Sequence, residues 1–202
     1  MILEEVVRCS SVIPKERQES LISDLRKITD FSWLVGAPNR YTDKLQGDFI
    51  SSFPVCYIDP KLEPVVSRRT VMIINNTCDL PEGRGNFVSV APAFDFKKYI
   101  ESEAGKRTTE SLKNYEADLR KNQISELVFI PQITGFSDGV IVRLDMICSV
   151  PISFLNEAVS SGSRIGSFTQ NGFYVLLMKL TCHLTRQESP EVSRNLTGTF
   201  GD

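Results

Sequence analysis

Apolar residues at helical spacing predict a helix near each end of the chain. Residues 14–28 carry apolar side chains three and four positions apart, which is the spacing of one helix face. Residues 169–186 repeat this pattern with Leu176, Leu180 and Leu184. We expect the second helix to lay this leucine stripe over one end of a sheet or against a partner chain.

The chain between these helices has the alternating or continuous apolar runs that are typical of β-strands. Strands are predicted at residues 47–58, 70–75, 86–92, 125–131 and 140–150. The continuous apolar run at 70–75 predicts a fully buried strand. Pro54 has no backbone N–H, so we expect an edge strand or a bulge there. Residues 60–69 are predicted to be a connecting loop, and alternation in the last strand places Arg143 and Asp145 on one face.

A charged segment with helical periodicity, residues 94–122, interrupts the strands. Thr108 or Thr109 is expected to cap a helix within it. Because basic and acidic residues interleave there, a solvated surface explains the charges better than an RNA-contacting one. A short helix is predicted at 151–159, followed by a flexible linker at 160–163.

Together these elements predict one α+β domain over residues 1–186, with a helical insertion at about 94–122. The sheet is expected to be a small antiparallel β-barrel or a strongly curved sheet, flanked by an N-terminal and a C-terminal helix. Residues 187–202 mix Ser, Pro, Asn and Gly, and a flexible C-terminal tail is predicted there.

The composition excludes several classes of protein. Of the 202 residues, 41% are hydrophobic and 24% charged, and the net charge of -2 disfavours an indiscriminate nucleic-acid binder. The five cysteines have no metal-binding spacing, and His183 is the only histidine, so we expect neither a metal nor a cofactor. No apolar run is long enough to cross a membrane and no signal peptide is recognised, so a cytoplasmic location is expected.

The middle of the chain resembles the PemK/MazF-type growth-inhibitor barrels, whose fold is shared with the CcdB-type toxins. The residues that carry the resemblance are Gly47 and Asp48 at the start of a strand, Arg68 and Arg69 before the buried strand 70–75, the polar turn Asn76, Thr77, Cys78 and Asp79, a strand ending in Val90, Ala91 and Pro92, and a later strand with Arg143, Leu144 and Asp145. The insertion and the N-terminal helix are additional to a minimal barrel, and Thr70 stands where the family normally has proline after its arginine. The resemblance implies an SH3-like, PemK-like barrel.

The resemblance also implies a metal-independent ribonuclease site. Such an enzyme needs a base, an acid and a cation for the phosphorane. Arg68 or Arg69 would supply the cation, and Thr77 with Asp79 would hold the phosphate and transfer protons. Asn76, Cys78 and Arg84 are candidates for binding a substrate or a partner.

A structural explanation of the polar turn competes with the catalytic one. Asn, Thr and Asp side chains often hydrogen-bond the local backbone where a strand ends in a turn. Cys78 would need a nearby base to act as a nucleophile, and no spacing rule brings His183 to it. A cysteine at the end of a buried strand is more often a small core residue.

Three functions follow from these alternatives. The leading hypothesis is a non-enzymatic, toxin-like barrel that acts as an interaction component of a bacterial defence or toxin–antitoxin-type system. The second is a metal-independent endoribonuclease of the PemK/MazF type, and the third is a CcdB-like inhibitor of a host enzyme. A protein partner is expected in a homodimer or a larger complex; RNA is a second potential partner, and no membrane partner is expected.

Overall fold

An antiparallel sheet curled into a half-barrel forms the centre of the molecule. The computed structural model describes residues 7–8, 13–27, 35–36, 43–59 and 61–185. The eight strands are Val35–Gly36 (β1), Phe49–Ile58 (β2), Pro64–Ile73 (β3), Phe87–Asp95 (β4), Leu127–Ile130 (β5), Val140–Arg143 (β6), Cys148–Pro151 (β7) and Arg164–Phe168 (β8). Their order is β1-β8-β2-β3-β4-β6-β5, and β7 pairs with β4 off this path.

Helices pack around this sheet and complete an α+β fold. In the described residues they are Lys15–Lys27 (α1), Phe96–Ala104 (α2), Thr109–Arg120 (α3), Ile152–Ser160 (α4) and Gln170–Thr185 (α5). The Asp95 carboxylate accepts from the Lys98 N–H at 2.9 Å, and the Thr108 hydroxyl accepts from the Ser111 N–H at 3.3 Å. Each bond satisfies an N–H group at a helix start, so these two residues fix where α2 and α3 begin.

One face of the sheet is covered by α1 and α5. Ala93 and Val142 are register partners, and both belong to the apolar cluster on this face. Leu21 of α1 and Leu176 of α5 are buried in the same cluster. The apolar stripes that predicted the two terminal helices therefore pack on the sheet.

The opposite face carries two separate apolar clusters. Phe53 of β2 packs in one of them with Leu155 of α4. Phe129 and Ile141, which are register partners on β5 and β6, pack in the other with Leu119 of α3. The helical insertion thus covers only the β5 and β6 end of this face.

Strands β2 and β3 continue beyond their other sheet neighbours as a two-stranded hairpin arm (residues 53–59 and 61–69). Strand β8 pairs with β2 only at residues 49–50, and β4 pairs with β3 only at residues 70–73. A bulge separates the two parts of β2, where Ser52 has a φ of 53°. Pro54 lies just beyond this bulge in a strand with one paired edge, which confirms the expectation from its missing N–H.

Most of the predicted elements are present in the structure. Within the run at 70–75, Val71, Met72 and Ile73 form the buried end of β3, which lies between β2 and β4 as an interior strand; the strand ends at Ile73, two residues earlier than predicted. The terminal helices, the two-helix insertion capped by Thr108, and the short helix α4 also match their predictions. The tail at 187–202 and Arg186 lie outside the described residues.

Two local predictions are wrong, and strand β8 is missing from the predicted elements. The predicted loop at 60–69 contains the first half of β3, which begins at Pro64. The predicted strand at 140–150 is two strands, β6 and β7, separated by a 3-10 turn at Leu144–Met146. The predicted linker at 160–163 leads into β8, which the pattern does not reveal because a glycine and polar residues dilute its apolar character.

Candidate functional site

The polar turn after β3 is held by its own backbone contacts. It forms a single 3-10 turn, Thr77–Asp79, in which Asn76 Oδ1 accepts from the Cys78 N–H at 3.3 Å. Thr77 Oγ1 accepts from the Gln46 N–H at 3.1 Å, which ties the turn to the segment before β2. Asp79 and Cys78 are exposed. Asn76 therefore makes the local capping contact that the structural explanation requires, whereas Thr77 bonds a residue that is distant in sequence.

The two candidate arginines lie in β3 itself and not in a loop. Arg68 is exposed, and its Nη1 donates to the Ser52 carbonyl at 2.8 Å. The Cζ atom of Arg69 lies 4.9 Å from the centroid of the Phe94 ring, a cation–π contact that holds the guanidinium against β4. Because successive strand residues face opposite sides, the two arginines point to different faces of the hairpin arm.

The structure does not bring these arginines to the polar turn. Arg69 and the end of β3 at Ile73 are four residues apart, which is about 13 Å of extended strand. Arg84 is exposed in the connection between β3 and β4. Within the described residues, no hydrogen bond or ion pair links any of the three candidate arginines to Thr77 or Asp79.

A cluster of tyrosines and charged residues joins the helical insertion to the end of β6. We call Tyr99, Glu103, Arg107, Tyr115, Arg143 and Asp145 the tyrosine–arginine cluster. The hydroxyls of Tyr99 and Tyr115 are 2.9 Å apart, and Arg107 Cζ lies 3.8 Å from the Tyr115 ring centroid. Arg143 Nε donates to Asp145 Oδ1 at 3.0 Å. No sequence spacing predicts this cluster, since its members come from α2, α3, the turn between these helices, the end of β6 and the 3-10 turn that follows it.

The electrostatics of this cluster favour internal pairing over proton transfer. Burial and the hydrogen bond with Tyr115 raise the pKa of the Tyr99 hydroxyl. The hydrogen bond to Asp145 raises the pKa of Arg143. Burial alone would raise the pKa of Asp145, but the hydrogen bond and charge of Arg143 outweigh it and lower that pKa. Tyr99 thus stays protonated and the ion pair stays charged, which suits a structural clamp between α2, α3 and the sheet.

The hairpin arm exposes an apolar surface on the face opposite Phe53. Ile58 is 60% exposed, Leu62 82% and Val66 73%. Cys56 is an exposed free thiol directly opposite Val66 in the register. We call Cys56, Ile58, Leu62 and Val66 the hairpin patch.

Sequence reasoning missed the hairpin patch because the apolar pattern of β2 does not show which of its two faces is buried. The register shows that Phe53 and Val55 face the core while Cys56 and Ile58 face outward. The signal available in the sequence is an apolar residue at almost every position of β2. That pattern predicts a strand buried on both faces, and only the position of β2 in the sheet shows that one face is open.

The sequence was compared with protein-family models and with curated proteins. No protein-family model matches the chain, and no curated protein matches it in sequence. In the described part of the chain, no group of three or more His, Cys, Asp or Glu side chains is placed to hold a metal ion. None of the described helices is both long enough and apolar enough to cross a membrane.

Proposed function

We propose that the chain is a non-enzymatic interaction module, a toxin-like curved-sheet protein that acts in a bacterial defence or toxin–antitoxin-type system. The observation that carries this proposal is the hairpin patch, where Ile58, Leu62 and Val66 are each more than half exposed. Adjacent exposed apolar residues on one face of a strand pair mark a surface that another molecule covers. The half-barrel and the order of the polar and buried segments support the finer assignment to an SH3-like, PemK-like barrel.

The shape of the hairpin arm supports a contact role. Its inner face is anchored by Phe53 and Val55, which are 1% and 2% exposed in the cluster around α4. Its outer face and its tip at Leu62 lie beyond the residues where β8 pairs with β2 and β4 pairs with β3. A rigid apolar surface of this kind loses little conformational entropy when a partner covers it.

The endoribonuclease remains the competing function, and one observation favours it. Arg69 is half-buried against Phe94, and a guanidinium held in this way could stabilise a developing phosphorane charge. The distance along β3 between Arg69 and the polar turn weighs against a single catalytic site. A CcdB-like inhibitor would use the hairpin patch as well, with a host enzyme as its partner.

Affinity purification of the full chain from its source cells tests the interaction role. We expect one protein to co-purify in stoichiometric amount with the wild type and with Phe154→Ser, an exposed apolar control on α4. The double variant Ile58→Ser, Val66→Ser should lose this protein, because the substitutions remove apolar contact area without touching the core. Retention of the partner by the double variant, or no stoichiometric partner at all, would contradict the proposal.

Incubation with single-stranded RNA in EDTA tests the competing enzyme. We expect no cleavage by the wild type. Cleavage that is abolished by Arg69→Ala and by Asp79→Ala, but retained by Arg17→Ala at an exposed position of α1, would establish the ribonuclease and overturn a purely binding role. If the co-purified protein proves to be a host enzyme that the chain inhibits, the CcdB-like alternative is the correct form of the interaction role.

A further inference from the structure

The first half of β3 is an open sheet edge. Strand β4 pairs with β3 only at residues 70–73, so residues 64–69 pair with β2 alone. The N–H of Ile74 donates to the carbonyl of Ser89 on the β4 side at 2.9 Å. Because alternate residues of an antiparallel strand direct their backbone groups to the same side, Val66 and Arg68 also direct theirs to the β4 side.

These backbone groups have no partner among the described residues. No described residue hydrogen-bonds to the N–H or C=O of Val66 or Arg68 on that side. Unpaired groups on a sheet edge form a template for another strand. Pro64 at the start of β3 lacks an N–H, which limits the template to a short segment and opposes indiscriminate pairing.

The side chains beside this edge combine apolar surface with unused hydrogen-bond donors. Val66 and Arg68 lie on the outer face, where Val66 adjoins the rest of the hairpin patch. Ser67 and Arg69 lie on the inner face, and the Oγ of Ser67 and the Nε of Arg69 are both buried without a hydrogen-bond partner. Two such donors two residues apart on one strand lower the stability of the fold, because each has lost its hydrogen bond to water and has gained no acceptor in the protein.

We propose that the open edge of β3 binds an extended peptide segment of a partner as an added strand, and that this segment carries adjacent acidic residues flanked by apolar ones. This inference rests on the interaction role proposed above and names the chemistry of the partner. Successive residues of an added strand face opposite sides. Two adjacent carboxylates would therefore face Arg68 on the outer face and Arg69 with Ser67 on the inner face.

Charge and shape both favour this occupant over a neutral strand. Arg68 uses Nη1 for the Ser52 carbonyl and presents its remaining donors to solvent, while Arg69 can turn from Phe94 toward a carboxylate at the edge. The Asp59 carboxylate at the turn of the hairpin arm is occupied by the backbone N–H groups of Lys61 and Glu63 at 2.8 and 2.9 Å. An apolar residue of the partner would cover Val66.

Peptide binding measured by fluorescence polarisation tests this inference with the full chain. The probe is a labelled peptide of about eight residues with two central glutamates and valine-rich ends. We expect it to bind, and we expect about tenfold weaker binding for Arg69→Gln and for a peptide with lysine in place of glutamate. Arg17→Gln, at an exposed arginine of α1, should bind as the wild type does.

The backbone pairing is tested separately from the charges. Val66→Pro removes the outward N–H and should weaken binding about tenfold, whereas Val66→Thr retains it and should not. If Val66→Pro fails to fold, the same pairing can be removed from the peptide. Two peptides are made, methylated on the backbone nitrogens of the odd-numbered or of the even-numbered residues. Only the peptide whose methylated nitrogens face β3 should lose binding. Equal binding of the glutamate and lysine peptides, or of both N-methylated peptides, would overturn the inference, as would no binding of the glutamate peptide.

The two proposals can fail independently. A co-purified partner that is lost with Ile58→Ser, Val66→Ser but retained by Arg69→Gln and Val66→Pro would support the interaction role and exclude strand addition. Loss of that partner with all of these variants would support both.

Discussion

Asp48 connects the start of β2 to β8 through a buried polar network. It is fully buried, and its Oδ1 accepts from the Ser167 hydroxyl at 2.6 Å. Its Oδ2 accepts from the Leu45 N–H at 3.0 Å and lies 3.2 Å from Arg164 Nε. Arg164 in turn donates from Nη2 to the Asp43 carbonyl at 2.7 Å. A buried charge is tolerated only when it is paired and hydrogen-bonded in this way.

The pKa of Asp48 gives this network a pH dependence. Burial raises that pKa, and the hydrogen bonds from Ser167 and Leu45 and the charge of Arg164 oppose the rise without cancelling it. The folded state therefore binds the proton more tightly than the unfolded chain does. The stability that this proton contributes is fully present below the unfolded pKa and is lost as the pH rises through the folded pKa.

We predict that Asp48→Asn removes this part of the pH dependence. The free energy of unfolding of the wild type, minus that of the variant, should be largest on the acid side and should fall as the pH rises toward neutrality. Urea denaturation at several pH values measures the difference, with Asp138→Asn, an exposed residue, as the control for the loss of a carboxylate. A difference that grows as the pH rises would contradict the assigned direction.

At the scale of elements, strand β5 forms one edge of the sheet and is covered by a side chain. Asn122 is buried, and its amide donates to the Phe129 carbonyl at 3.0 Å and accepts from the Phe129 N–H at 2.7 Å. Lys179 of α5 donates to the carbonyls of Asn122 and Ile124 at 2.7 and 2.5 Å. The turn after α3 thus takes the place of a neighbouring strand and satisfies the backbone groups of Phe129. The edge of β5 is therefore covered, whereas the edge of β3 at residues 64–69 is not.

Asn122→Ala should expose the consequence of losing this cover. The substitution leaves the buried N–H and C=O of Phe129 without their partner, and we expect a loss of about 2–3 kcal/mol in the free energy of unfolding. Asn114→Ala, at an exposed position of α3, should change it by less than about 0.5 kcal/mol. Chemical denaturation compares the two variants, and similar losses for both would refute the role of Asn122.

The turn before β6 requires a glycine for two separate reasons. Gly139 has a φ of +86°, and a Cβ built there would lie 2.3 Å from the Ile130 carbonyl oxygen. Gly135 has a φ of +89° but open space around the same position. A positive φ is unfavourable for any residue with a side chain at either position, but only at Gly139 would the added Cβ also clash with a backbone atom.

We therefore predict that Gly139→Ala destabilises the fold much more than Gly135→Ala does. The strained φ alone should cost about 1 kcal/mol at Gly135, and the added clash should raise the cost to about 3 kcal/mol or more at Gly139. Thermal unfolding of both variants measures the difference. Equal effects would mean that the chain relaxes freely around Gly139.

At the scale of the whole molecule, α5 packs on the sheet along only part of its leucine stripe. Leu176 is 0% exposed and Leu180 8% exposed, whereas Leu184, one turn further on, is 70% exposed. The helix therefore passes beyond the edge of the apolar cluster before its last turn.

Paired truncations along this stripe should differ sharply. Leu176→Ala should lower the free energy of unfolding by about 3–5 kcal/mol, because it leaves a cavity against the sheet. Leu184→Ala should change it by less than about 0.5 kcal/mol, because the side chain is already in water. The two variants are compared by their denaturant midpoints, provided that the dependence of the unfolding free energy on denaturant concentration is unchanged. A large loss of unfolding free energy for Leu184→Ala would show that a partner chain or a second copy covers this residue.

Local patterns explain which elements could be predicted and which could not. The terminal helices, the insertion capped by Thr108 and the buried end of β3 follow from periodicity and capping, which depend on neighbouring residues alone. The half of β3 from Pro64 to Arg69 is difficult to recognise as a strand from sequence, because its proline and arginines are unusual in an interior strand. They are acceptable on an open edge, and the edge exists only once the sheet has formed.

The amino-acid pattern alone was enough to predict the α+β composition, the buried residues 71–73 and the polar turn that follows them. These features arise from side-chain volume, periodicity and local hydrogen bonding, which act over a few residues. The tertiary structure decided which face of β2 is exposed, where β3 loses its second neighbour, and how far Arg69 lies from Asp79. Those outcomes depend on strand register and on contacts between distant segments, which no local pattern encodes.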